Sequence, residues 1–133
     1  MMRERVLGRL EDILHAIGAI ETYVSGKSFA DYQAEPIVRD AVERNIERIS
    51  EATRHLPDDM KAKHPNIPWS QIATIGNVLR HAYPVVDDRT IWDTVERDVP
   101  PFKAAVEGLL IEFEAKKNGG CFDPQEQDPL DRD

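Results

Sequence analysis

Asn77, Arg80, His81 and Tyr83 bring four useful side chains into one short stretch of the chain. An imidazole moves a proton near neutral pH. A guanidinium clamps a phosphate or stabilises charge developing on it. An amide orients either group, and a phenol can accept a transferred group. At 100° per residue Asn77 and His81 share one helix face, and Arg80 and Tyr83, three apart, neighbour one another. Pro84 stops the helix immediately afterwards. A plainer reading of the same residues is a helix C-terminal cap, where Arg and His favour the last turn and Tyr-Pro is an ordinary exit.

The remaining histidines offer less. His15 falls beside an apolar stripe and reads as a packed or boundary residue. His55 and His64 flank helix ends and read as solvated or capping. No two histidines lie three or four apart and no Cys-x-x-Cys is present, so no metal site is expected. A Gly-rich phosphate loop is also missing, and no cofactor is called for.

These residues need helices to hold them. Apolar positions recur at threes and fours nearly throughout, without alternating strand-like runs. A first helix runs from about Arg3 to Val24 on Val6, Leu10, Ile13, Ile17 and Ile20, closed by Gly26. Ser28 and Asp31 form a weak capping box for a short turn. Pro36 opens a long helix whose apolar face carries Ile37, Val38, Val42, Ile46, Ile49 and Leu56, stopped by Pro57. Residues 57–68 read as a short turn plus loop. A helix follows from Trp69 to about Tyr83. Asp87 or Asp88 caps the next, with Ile91, Trp92 and Val95 inward, and Pro100-Pro101 predicts a break after Val99. The last helix carries Phe102, Val106, Leu109 and Phe113 and closes near Gly119. The fold class is therefore all-α, an up-down antiparallel bundle of four to five helices. Wide apolar stripes on the long helices also suit burial across a homodimer.

With 133 residues the chain suits one core: a helical domain over 1–117 and an acidic, disordered C-terminal tail over 118–133. The tail holds five acids and one base, and so half of the net charge of −8. That balance argues against sequence-independent duplex DNA binding, while a local basic cleft for RNA stays open. The single cysteine, Cys121, supports no disulfide framework. No signal-peptide core and no membrane-spanning stretch stand out, and a cytoplasmic location is expected.

The segment Ile67-Pro68-Trp69-Ser70-Gln71-Ile72-Ala73, followed by Gly76-Asn77-Val78-Leu79-Arg80-His81-Ala82-Tyr83, resembles the HepT-like HEPN family. The pattern there is P-W-x-x-I-A-x-x-R-N-x-x-x-H-x-Y. Upstream, Asp40-Ala41-Val42-Glu43-Arg44-Asn45-Ile46 and Ile49-Ser50-Glu51-Ala52 are similar to its D-A-V-x-R-N-L and I-G-E-A stretches. Downstream, Val86-Asp87, Ile91-Trp92 and Asp98-Val99-Pro100 match further marks, so the likeness runs collinearly over about residues 3–116.

The resemblance implies a dimerising helical bundle with a cleft at the dimer interface. It implies a metal-independent endoribonuclease, the toxin of a toxin–antitoxin pair, neutralised by a minimal nucleotidyltransferase antitoxin that can transfer AMP to Tyr83. His81, Arg80 and Asn77 become the catalytic candidates, and Arg44, Asn45 and Glu51 a supporting polar network. One position departs from the pattern: Gly76 stands where the motif arginine belongs. Either Arg80 reaches back over the space that Gly76 vacates, or the chain is a degenerate HEPN subunit that binds a nucleotidyltransferase or RNA without cutting.

Overall fold

A computed structural model of the chain describes residues 2–81 and 87–122. Seven α-helices and one π-helical turn are present among them. In chain order they are α1 (Met2–Val24), α2 (Phe29–Ala34), α3 (Pro36–Arg54), α4 (Asp58–Lys61), α5 (Trp69–His81), α6 (Asp88–Asp93), the π turn (Thr94–Asp98) and α7 (Val99–Phe122). The bundle is antiparallel, as the apolar spacing predicts. Helix α3 lies in the middle, packed on α1 along one flank and on α5 along the other, and α1 also packs on α7.

Each boundary has a local cause. Gly26 adopts φ 74° after α1, a left-handed conformation that costs glycine no Cβ clash. The capping box is complete: the Asp31 amide donates to Ser28 Oγ at 3.1 Å and the Ser28 amide to Asp31 Oδ2 at 3.0 Å. Tyr32 of α2 is fully buried against Trp92, with ring centroids 5.4 Å apart. Trp69 opens α5 by donating its indole N–H to the His64 carbonyl at 3.0 Å and packing edge-on to Phe102. The core then runs from Val6, Leu10, Ile13, Ile17 and Ile20 of α1, through Val42, Ile46 and Ile49, to Phe102, Val106 and Leu109 of α7.

Five local expectations are corrected. Ile37 is 84% exposed instead of facing the core, because it lies in the first turn of α3 on the side away from α1 and α5. Helix α3 ends at Arg54, with His55 as its C-cap, before Pro57 is reached. Asp87 holds the N-cap position of α6 without a side-chain hydrogen bond. The helix does not break after Val99. The Val99 amide instead bonds the Thr94 carbonyl five residues back, and Val99 stays helical at φ −65°, ψ −44°. Pro100 and Pro101 then occupy the first turn of α7, where a missing N–H costs least. Helix α7 continues to Phe122, beyond the expected close at Gly119. Among the described residues no helix is long and apolar enough to cross a membrane.

Candidate functional site

The last turn of α5 carries the candidates. Asn77 is exposed there, and Arg80 and His81 close the helix. The side chains of Arg80 and His81, and the whole of Tyr83, lie outside the described residues. The helix itself is fixed by its contact with α3. Ser50 of α3 is buried, accepts the Gly76 amide at 3.1 Å and donates its hydroxyl to the Ala73 carbonyl at 2.7 Å. These two bonds set the register of α5 along α3, and with it the position of Asn77.

Gly76 is the close-approach residue of this crossing. A Cβ built on it would stand 2.7 Å from Ser50 Oγ and 2.8 Å from Ser50 Cβ, with the Glu47 Cα at 3.7 Å. The space beside Gly76 is therefore filled by Ser50. Sequence reasoning passed over Ser50. The available signal was a small hydroxyl residue on the helix predicted to pack against the one carrying Gly76.

Among the described residues no hydrogen bond or ion pair joins Arg44, Asn45 and Glu51 to one another. Arg44 is exposed and meets Glu47 at 3.9 Å, one turn along its own helix. Asn45 is buried, donating Nδ2 to the Ala41 carbonyl at 2.9 Å, and its Oδ1 has no hydrogen-bond partner among the described residues. Glu51 pairs with His55 at 2.9 Å and Arg54 at 3.4 Å. The hydrogen bond from His55, joined by smaller contributions from the positive charges of Arg54 and Arg9, holds the Glu51 carboxyl below the usual carboxylate range against an opposing desolvation. Arg44 and Glu51 do line one groove with Arg9, Asp12, His15, Glu47 and Arg48. His15 is exposed in that groove instead of packed into the core.

Acidic groups gather at the other flank of α3. Glu43 has its carboxyl pushed up, first by burial and then by the negative charges of Asp40, Asp88 and Glu47, with Arg39 partly compensating. The Tyr32 phenol is raised strongly by burial and by Glu43 and Asp88 nearby. An apolar cavity of about 160 Å³ lies between α3, α5 and the start of α7, lined by Ile46, Ile49, Ile72, Ile75, Val99 and Phe102. Among the described residues no cluster of His, Cys, Asp or Glu is arranged to hold a metal ion.

The arrangement holds the exposed Asn77 amide on the helix that ends in His81, a setting for work on an extended polar substrate. Comparison with known proteins agrees with the motif. Residues 13–109 match the family model described as Ribonuclease HepT-like. A Thermococcus cleftensis protein named "Probable ribonuclease HepT" is 41% identical over 100 residues, covering 75% of this chain and 91% of the relative. "Putative RNase TTE0752" of Caldanaerobacter subterraneus subsp. tengcongensis is 35% identical, covering 76% of this chain and 90% of the relative. "Gamma-glutamylcyclotransferase and putative RNase MJ0434" of Methanocaldococcus jannaschii is 34% identical over 88% of this chain, but only 53% of that longer protein is matched. No solved structure matches the chain. The family match spans the helices that set the α3–α5 crossing and the motif on α5, and the chain belongs to the HepT-like ribonuclease family.

Proposed function

We propose that the protein is an endoribonuclease acting at the C-terminal end of α5, the toxin of a toxin–antitoxin pair. The observation that carries this reading is the exposed Asn77, held in register by Ser50 on the helix that ends in His81. His81 takes the proton from an RNA 2′-hydroxyl as that oxygen attacks the adjacent phosphorus, or gives a proton to the departing 5′-oxygen. The nucleophile comes from the substrate itself, so the step needs no metal-bound water. Asn77 orients the phosphate or the imidazole, and Arg80 stabilises the charge on the phosphorane.

Membership of a family described as HepT-like ribonucleases supports the nuclease assignment. Two copies meeting along the α5 faces would form a cleft with two such sites. A minimal nucleotidyltransferase would neutralise the protein by placing AMP on Tyr83, adding bulk and negative charge that repel RNA phosphates.

The test is cleavage of RNA by the purified chain with and without chelator. Cleavage that resists chelator and is lost in His81→Ala supports the reading. Absence of cleavage on every RNA, with no growth arrest on expression, sinks it. A second reading is favoured by one observation: Ser50 fills the place of any side chain at 76. The chain would then be a binding subunit for the nucleotidyltransferase, and it would capture that partner without arresting growth.

A further inference from the structure

The seam between α1 and α3 holds two adjoining open grooves. One, about 450 Å³, is lined by Arg9, His15, Arg44 and Arg48 together with Asp12, Glu47 and Glu51. The other, about 550 Å³, adds Arg5 and His55 and shares Arg9. Four arginines thus face three carboxylates along one seam, in a protein whose net charge is −8. Two of those carboxylates already have partners: Glu47 meets Arg44, and Glu51 meets Arg54 and hydrogen-bonds the His55 ring. No ion pair among the described residues takes up Arg9 or Arg48.

Spacing gives the seam a direction. Arg5 and Arg9 are one turn apart on α1, and Arg44 and Arg48 one turn apart on α3, a rise of about 6 Å, on the order of one repeat of an extended sugar-phosphate strand. The seam also leads to the proposed site. Ser50 bonds Ala73 and Gly76, and α3 and α5 are antiparallel, so stepping back along α3 to Arg44 reaches the level of the last turn of α5. Arg44 therefore stands level with the end of α5, at that end of the seam.

We propose that the α1/α3 seam is a phosphate track, in which Arg48 and Arg9 bind the backbone of single-stranded RNA running away from the scission point. This inference rests on the ribonuclease reading for its direction and on the arginines alone for its binding. Guanidiniums favour phosphate through bidentate contacts, and each contact to a single strand contributes about 0.7 to the slope of log affinity against log salt.

The test is titration of a fluorescein-labelled single-stranded RNA oligonucleotide by anisotropy at several NaCl concentrations. The full chain carries His81→Ala in every sample to stop cleavage. Adding Arg9→Ala/Arg48→Ala weakens binding at least tenfold and lowers the salt slope by about 1.4. The Arg9→Lys/Arg48→Lys pair keeps most of the slope, and Arg97→Ala, on the π turn, changes neither quantity. In the cleaving protein the alanine pair raises KM and leaves kcat unchanged. Unchanged affinity and slope in an alanine pair that melts normally overturns the track, as does absence of RNA binding by the parent. A chain that binds RNA through these arginines but never cleaves it overturns the nuclease reading and leaves the track standing.

Discussion

Gly76 and Ser50 meet so closely that each limits what the other can be. Alanine at 76 would ordinarily gain up to about 1 kcal/mol of helix propensity. Here its Cβ would stand 2.7 Å from a buried hydroxyl that is itself bonded to α5. Overpacking of that kind costs about 1–3 kcal/mol, so Gly76→Ala is expected to destabilise on balance. Ser50→Gly in the same chain is expected to recover much of the loss. Urea unfolding of the four members of that cycle measures the coupling, and strict additivity would count against the contact. Glu43 gives a second prediction. Its carboxyl is raised, so the folded state holds that proton to higher pH than the unfolded chain does. Stability therefore falls as pH rises through the carboxylate range, and the penalty is fully present at neutral pH. Glu43→Gln is expected to raise the Tm by roughly 1–3 °C at pH 7 and to change it little at pH 4. Helical periodicity alone places Asn77 and His81 on one face. Ser50 was not legible in that way, because its role depends on where two helices, distant in sequence, happen to cross.

Short-range signals settled most of the elements. The Ser28–Asp31 box was readable because all its partners lie within four residues. Ser28→Ala is expected to cost about 1 kcal/mol, read from chemical denaturation. The Asp31 carboxyl is held low by its hydrogen bonds from the Ser28 backbone and side chain. Its contribution is present above the ordinary carboxylate pKa and disappears as pH falls through its lowered value. The difference in melting between wild type and Asp31→Asn should therefore be seen at pH 7 and vanish at the acid end. The prolines mislead for a physical reason. A proline ends a helix by withholding an N–H and crowding the preceding turn. Here the turn before them is already widened, with Val99 bonded to Thr94, so the rod continues. The exposure of Ile37 has a simpler cause: at 100° per residue it stands about 140° around α3 from the buried Val42, off the apolar stripe.

At the scale of the whole molecule, the antiparallel order of α1, α3, α5 and α7 follows from their apolar stripes and short connections, and this was the part most legible in the sequence. Surface ion pairs add little to it. Lys103 of α7 meets Glu21 of α1 at 3.0 Å, with both side chains well exposed. Lys103→Ala is expected to cost less than about 1 kcal/mol, and the gap should narrow in 1 M NaCl. A loss that persists in high salt would show that the aliphatic stem, and not the charge, holds the two helices. The arginine seam was the least legible feature, because its members come from two helices and look, on each one separately, like an ordinary solvated face. The Ser50–Gly76 contact also constrains how this sequence can change by inheritance. A larger side chain can enter position 76 without forcing the helices apart only after position 50 has become smaller. The two steps have an obligatory order, and a lineage that takes them in reverse passes through a poorly folded ancestor. Descendants of this chain are thus expected to keep glycine at 76 for as long as they keep serine at 50.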